Sequence, residues 1–470
     1  MLDQNVKQKL IAIVGEDNFF DSEENLVVYS YDATPNYQAM PDAVLKPKNT
    51  SEVQDIVKVC NEYKVPIVPR GSGTNLCAGT CPLEGGIVLL FTHMNKMIEI
   101  DEENLTVTVQ PGMITLDLIN AVEEKGLFYP PDPSSMKIST IGGNINENSG
   151  GLRGLKYGVT RDYVMGLEIV LPNGEVIRTG GKLAKDVAGY DFTRLMVGSE
   201  GTLGIITEAT LKLIPTPETK KTMLVLFDSL EGAGAAVQAI ISNKIIPATL
   251  EFLDQGTLEV VEDFAKIGLP TDVGAVLLIE QDGPSEIVER DMEKMKEVCE
   301  HSNALSIQVA KTEEEGLALT TARRAALSAL ARKKPTTILE DATVPRSKIA
   351  EMVHAINEIA KKFDVEICTF GHAGDGNLHP TCMTDARNEE EIHRVEEAFA
   401  EIFAKAIELG GTITGEHGVG VMKSPYLAWK LGEEGVEAMK TLKFAFDPNN
   451  IMNPGKMFAK ETKKRVVVQK

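Results

Sequence analysis

Two histidines and an aspartate stand among three glycines in the stretch 371–380, GHAGDGNLHP, which is too polar and too rich in glycine to be a packing element. The residues before it, 365–370 (VEICTF), read as a strand, and those from 379 to 383 begin another, so AGDGNL becomes the loop of a hairpin with a histidine at each inner end. Side chains facing each other across antiparallel strands lie ~4.5–5.5 Å apart at Cβ, which lets the imidazoles of His372 and His379 converge on one ion. A second polar loop, 415–420 (GEHGVG), follows a short strand at 412–414 and offers Glu416 and His417. Two histidines with one carboxylate form a common divalent-metal set that leaves positions open for substrate. The competing reading makes Asp375 and Asn377 turn formers and the histidines simple caps of the hairpin. Against it, His372, His379 and His417 gather in glycine loops, whereas His93, His301, His354 and His393 take ordinary surface or core places.

Upstream, the loop 69–75 (PRGSGTN) presents closely spaced backbone N–H groups with no side chain to block a phosphate, and Ser72, Thr74 and Asn75 add donors. It fits a diphosphate. No Gly-Lys-Ser/Thr follows, and Leu76 stands where a dinucleotide fingerprint needs its third glycine. Three further loops join it: 129–135 (YPPDPSS), 141–151 (IGGNINENSGG) and 198–206 (GSEGTLGII). Together they point to one extended ligand lying along several turns, a reading that also accounts for the cluster Asn144, Asn146, Asn148 and Ser149.

These loops must be held by elements of two kinds. Ser51 with Gln54 makes a capping-box pattern before a helix to about residue 63, with Val53, Ile56, Val57 and Cys60 as its apolar face. The run 105–110 (LTVTVQ) alternates as a strand, and 167–177 crosses a Pro-Asn-Gly hairpin turn. This first region ends at 214–221 (IPTPETKK), where two prolines and a polar run mark a boundary. Beyond it, strands near 222–228, 247–253, 273–280 and 304–310 alternate with helices. A helix at 312–332 bearing Arg323, Arg324 and Arg332 follows, then a strand at 336–344, helix 388–409 and helix 424–446. The fold class is α+β.

The chain of 470 residues supports two or three domains. Its 48 basic and 69 acidic residues give a net charge of −21, which argues against nucleic acid or anionic membrane as a primary partner. No run approaches a membrane span, and the start, MLDQNVKQKL, lacks a signal-peptide core, so no integral membrane association and a cytoplasmic location are expected. Six cysteines, at 60, 77, 81, 299, 368 and 382, show no CxxC pair or disulfide ladder. With no cluster ligands of its own, the protein must pass electrons to a separate carrier.

In order along the chain, PRGSGTN, GGNINENSGG, DVAGYDFTRLMVGSEGTLGIITEATLKL (186–213), GHAGDGNLHP, TGEHGVG and FDPNNIMNPGK resemble the FAD-linked D-2-hydroxyacid dehydrogenases. That group includes glycolate oxidase D subunits and D-lactate dehydrogenases, within the vanillyl-alcohol-oxidase (PCMH-type) flavoprotein fold. The resemblance runs from about residue 40 to 458. It implies an FAD-binding domain at 1–214, an α+β cap or substrate domain at 215–423, and a C-terminal helical segment at 424–470 that returns to the flavin. Arg70, Gly71, Ser72, Gly73, Thr74 and Asn75 match the diphosphate loop. Asp132, Pro133, Ser134, Thr140, Gly143, Asn144, Asn148, Ser149, Gly151, Gly201 and Ile206 match further FAD contacts, and Asn453 matches a position near the flavin ring. No histidine placed to link FAD accompanies the PRGSGTN loop, which implies noncovalent flavin.

By the same resemblance His372, His379 and Glu416 match ligands of a divalent metal (Zn, Fe or Mn), and His417 matches the catalytic base. Arg323 matches an arginine that binds the substrate carboxylate, although the tryptophan usual three residues earlier is here Thr320. Such residues supply what oxidation of a 2-hydroxy acid needs: a cation for the carboxylate, a means of acidifying the alcohol, and a hydride acceptor. The hydroxyglutarate branch carries a lysine where this chain has Leu339, two residues before Asp341, so a short monocarboxylate is expected, D-lactate ahead of glycolate. The expected electron acceptor is an electron-transferring flavoprotein. The alternatives are a glycolate oxidase subunit feeding an iron–sulfur subunit or a quinone, and a non-catalytic flavin- or metal-binding module.

Overall fold

The computed structural model describes residues 2–459, so positions 460–470 of the expected C-terminal segment lie outside the described residues. The chain forms two compact units, one of residues 2–149, 159–216 and 416–459, the other of 150–158 and 217–415. The units divide at 216/217 and 415/416, where the expected lines are at 214/215 and 423/424.

In the first unit a four-stranded sheet has the order Phe19–Phe20, Ala43–Leu45, Ile87–Leu90, Ile67–Arg70, its last three strands parallel. The helix Thr50–Tyr63 packs on it because Val53, Ile56, Val57 and Cys60 fall on one stripe and are buried. Its cap is Asn49 and not Ser51: Asn49 Oδ1 accepts the Glu52 N–H at 3.0 Å, two positions before the cap that the Ser51–Gln54 pattern predicts. Residues 451–453 close the edge of the last strand, with Ile67 N–H donating to Ile451 O (2.7 Å) and Asn453 N–H to Ile67 O (2.8 Å). A second, antiparallel sheet of five strands includes Val164–Val170 and Val176–Gly180, the hairpin expected across Pro-Asn-Gly.

The second unit is built on one antiparallel sheet: Ala304–Val309, Thr219–Phe227, Ala275–Gly283, Thr249–Asp254, Glu366–His372, Asn377–Thr384 and Thr336–Leu339, with Ala342–Thr343 also paired to Asn377–Thr384. The expected helix at 312–332 breaks at Ala325 into Glu313–Arg324 and Ala326–Leu330, and the strand expected over 336–344 breaks at Glu340 and Asp341. No strand forms at 412–414, where a single bridge joins Thr412 to Thr343. The segment 150–158 belongs here because Tyr157 Oη donates to Asp282 Oδ1 (2.8 Å), Lys156 pairs with the same carboxylate, and Leu155 fills the space above Gly374. Among the described residues no helix is long and apolar enough to cross a membrane.

Candidate functional site

In the second unit the glycine-rich stretch folds into the hairpin Glu366–His372 and Asn377–Thr384, turning through residues 373–376. Gly376 has φ +85° and donates its N–H to His372 O at 3.0 Å; a Cβ there would lie 2.1 Å from Val344 O, so the turn admits only glycine. The histidines are not directly opposed, as the sequence suggests. His372 pairs with Asn377, and His379 pairs with Phe370, because Asn377 joins the strand and shortens the loop. An offset of two residues keeps both on one face, with ring centroids 5.1 Å apart and nitrogens within 4.8 Å of each other.

Three side chains that the motif does not contain surround this pair. Glu251, on Thr249–Asp254, puts Oε1 2.7 Å from His372 Nδ1 and Oε2 2.6 Å from Arg323 Nη2. The second contact is an ion pair set off the axis of a hydrogen bond, and Arg323 Nε has no hydrogen-bond partner among the described residues. Arg323 also stacks on Phe370, 4.7 Å from its centroid, and Phe370 lies 5.4 Å from the ring of His379. Glu251, Arg323 and His372 are 0%, 3% and 5% exposed. Burial acts to raise the Glu251 pKa, but His372 and Arg323 outweigh it and hold the carboxyl below its usual value. A carboxylate only accepts, so His372 Nδ1 carries a proton toward Glu251, and Nε2 is the nitrogen that would face a metal. This donor set fits a divalent ion. Leu339 is buried, and the Asp341 carboxylate accepts the Gly415 N–H at 2.7 Å, which fixes the residue before Glu416.

In the first unit, the backbone N–H groups of residues 71–75 donate to no protein acceptor among the described residues. Such a run of free donors on a partly exposed loop fits a diphosphate, as expected for FAD. Arg70, by contrast, turns inward to Tyr31 O (2.8 Å) and Thr80 Oγ1 (3.2 Å). Thr140 caps the helix Ile141–Glu147 by accepting the Gly143 N–H at 3.2 Å. The asparagine cluster is held by protein partners: Asn144 Nδ2 donates to Thr115 Oγ1 (2.7 Å), Asn146 Oδ1 accepts from Gly201 N–H (3.0 Å), and Asn148 Oδ1 accepts from Arg161 N–H (2.9 Å). Ser149 Oγ meets Thr160 Oγ1 at 3.3 Å. Asp132 is buried, residues 132–134 form a loop, and Ile206 lies in the strand Ile205–Lys212. Gly151 falls in the 150–158 segment of the other unit. Asn453 Nδ2 donates to Gly79 O (2.9 Å) and Glu200 O (2.7 Å), while its buried Oδ1 has no protein partner among the described residues.

The loop bearing half-buried Glu416 and His417 is held by Glu200 and closely approached by Glu147, two acids that sequence reasoning missed. Glu200 accepts the Val419 N–H (2.7 Å) and the Gly420 N–H (2.8 Å), one on each oxygen. Gly418, at φ +85°, passes so close to Glu147 that a Cβ would lie 2.3 Å from Oε2. Burial raises the Glu200 pKa despite those N–H bonds and nearby Lys456 and Lys423, and burial together with Glu200 drives Glu147 well above the carboxylate range.

Comparison with known proteins follows these two regions. A family model described as FAD linked oxidases, C-terminal domain, matches residues 216–457, and one described as FAD binding domain matches 41–180. The chain is 72% identical over 470 residues to the glycolate oxidase subunit GlcD of Bacillus subtilis (strain 168), covering 100% of each. It is 38% identical to a D-lactate dehydrogenase of Anaerostipes hadrus, over 97% of this chain and 96% of that one. The solved structure of p-cresol methylhydroxylase with substrate bound superposes with a TM-score of 0.80 at 19% identity, covering 96% of each chain, a likeness of fold.

Proposed function

The chain belongs to the family of FAD-linked oxidases, and from that premise we propose that it oxidises glycolate to glyoxylate and hands the electrons to a separate redox subunit. The coarser statement is plain: it is a PCMH-type flavoprotein that binds FAD and acts as an oxidoreductase on a hydroxy acid. The observation that carries glycolate is the full-length identity of 72% to a glycolate oxidase subunit, against 38% to a D-lactate dehydrogenase. The expected preference for D-lactate therefore gives way, while buried Leu339 agrees with either short acid. The word "subunit" in that relative's name supports a protein partner as electron acceptor.

In this reading His372 and His379, with Glu416, would hold a divalent metal, and the 71–75 loop with Asn453 would hold FAD noncovalently. When bound, FAD supplies the acceptor for the hydride and the ion supplies polarisation of the substrate hydroxyl. Arg323 pairs with the substrate carboxylate, and His417 takes the hydroxyl proton as general base.

Anaerobic bleaching of the flavin by glycolate, D-lactate, L-lactate and D-2-hydroxyglutarate, with and without chelator, tests the reading. Glycolate is expected to give the highest specificity constant, and chelation to slow it. A higher constant for D-lactate would return the preference to that acid. Acid precipitation should release the yellow colour into the supernatant; colour held by the pellet would mean a covalent link. Copurification from the native host identifies the partner, with an iron–sulfur protein and an electron-transferring flavoprotein as the two outcomes to separate.

A further inference from the structure

We propose that Glu251 is a positioning residue that locks the metal-binding histidine and the substrate-binding arginine into one rigid set, so that a single buried carboxylate governs both metal affinity and substrate binding. The inference rests on the reading of His372 and Arg323 above.

The geometry is a closed circuit within one unit. Glu251 reaches His372 with one oxygen at 2.7 Å and Arg323 with the other at 2.6 Å. Arg323 then lies 4.7 Å over Phe370, Phe370 lies 5.4 Å from His379, and His379 lies 5.1 Å from His372. The members come from three places, Thr249–Asp254, Glu313–Arg324 and the hairpin 366–384, so none is placed by chain neighbours alone. Only an acceptor with two equivalent oxygens can serve both partners. Glutamine would turn an amide N–H₂ toward one of them, and aspartate, shorter by one C–C bond of ~1.5 Å, could not span both. A buried ion pair recovers little net stability after desolvation, so burying Arg323 against Glu251 has its rationale in orientation. Glu251 also fixes which nitrogen of His372 faces the ion, because the other must donate to the carboxylate.

The test uses the full-length flavoprotein, with zinc affinity read by competition against a chromophoric chelator and oxalate binding read from the flavin spectrum of the zinc-saturated protein. Glu251→Gln is expected to weaken zinc by ~10–100-fold and to weaken oxalate by ~10-fold or more. Arg323→Met should lose oxalate to a similar extent while zinc stays within about threefold of the parent. Glu251→Gln alone leaves a buried cation without its counterion and is expected to unfold at lower temperature. The double variant Glu251→Gln with Arg323→Met removes that cation and should recover thermal stability. Zinc should nevertheless stay weak in it, by ~10-fold or more relative to Arg323→Met, an outcome that a merely structural role would not give. Zinc affinity of the double variant equal to that of Arg323→Met overturns the proposal, whether or not Glu251→Gln folds. So does a Glu251→Gln protein that loses zinc affinity but binds oxalate like the parent. A parent that takes up no zinc overturns the metal reading as well. A parent that binds zinc but is not bleached by glycolate overturns only the choice of substrate, and the variants still decide the coupling.

Discussion

Both units bury carboxylates, and they put them to opposite uses. In the second unit Glu251 meets a histidine and an arginine and is held ionised. In the first, Glu200 meets mainly backbone N–H groups and its pKa is pushed up; Glu147 beside it is pushed further still. Within the second unit the contrast recurs three residues along one strand. Asp254 is also buried, though less completely than Glu251; it accepts from the N–H groups of Thr257 (2.8 Å) and Thr369 (2.6 Å), and burial lifts it to about 6. Burial acts to raise all four, and what opposes it differs: around Glu251 the charges of His372 and Arg323 win, whereas the backbone N–H groups at Glu200 and Asp254, and the lysines near Glu200 and Glu147, do not.

The sharpest way to break this contrast is at the loop that Glu200 fastens. If that loop exists to present an imidazole, His417→Ala should slow anaerobic flavin reduction by glycolate by roughly two to four powers of ten while FAD content holds. A stopped-flow rate within about threefold of the parent would reassign the base. Next in size, His372→Ala removes the histidine that Glu251 orients; metal content by elemental analysis and turnover are expected to fall together by about 100-fold, with FAD spared.

Asp254→Asn isolates the acid without a cation. Its folded pKa of about 6 lies above its ordinary 3.8, so the folded state keeps a proton that the unfolded state has released. The parent's stability contribution from this group is therefore present in full below the lower value and is lost as pH rises through the higher, by about 3 kcal/mol in all. Denaturant unfolding between those pH values should show a falling parent and a flatter variant. The smallest effect is expected from Glu200→Gln, which turns an amide N–H₂ toward one of the two backbone donors and lowers unfolding free energy by about 2 kcal/mol. An unchanged melting temperature would mean that the carboxylate does not hold the loop.

The hairpin and the phosphate-type loop were legible because their chemistry is local: glycines, histidines and strand-like flanks lie within a few residues of one another. The offset of His372 from His379 was not, since it depends on Gly376 closing a turn tight enough to draw Asn377 into the strand. Glu251 was harder still. Its partner His372 lies 121 positions away, and the local sign was an acid between the apolar residues Leu250 and Phe252. The protein partners of the asparagines at 144–148 were not legible either, because Thr115, Gly201 and Arg161 lie away from them in the sequence. Likewise the segment 150–158 reads as part of the glycine-rich loop, yet Asp282 draws Tyr157 and Lys156 into the other unit.

The edge strand Ile67–Arg70, closed by residues 451–453, sets the order in which this protein can mature. Its sheet partners have all been synthesised by Leu90, but the hydrogen bonds that cover Ile67 come from near the opposite end of the sequence. At ordinary elongation rates of ~5–20 residues per second, that edge waits on the ribosome for on the order of tens of seconds with its pairing groups exposed. The nucleotide-binding half is thus begun first and finished last. A chain that stops before Ile451 would therefore leave the Ile67 edge of this earlier-encoded sheet unpaired.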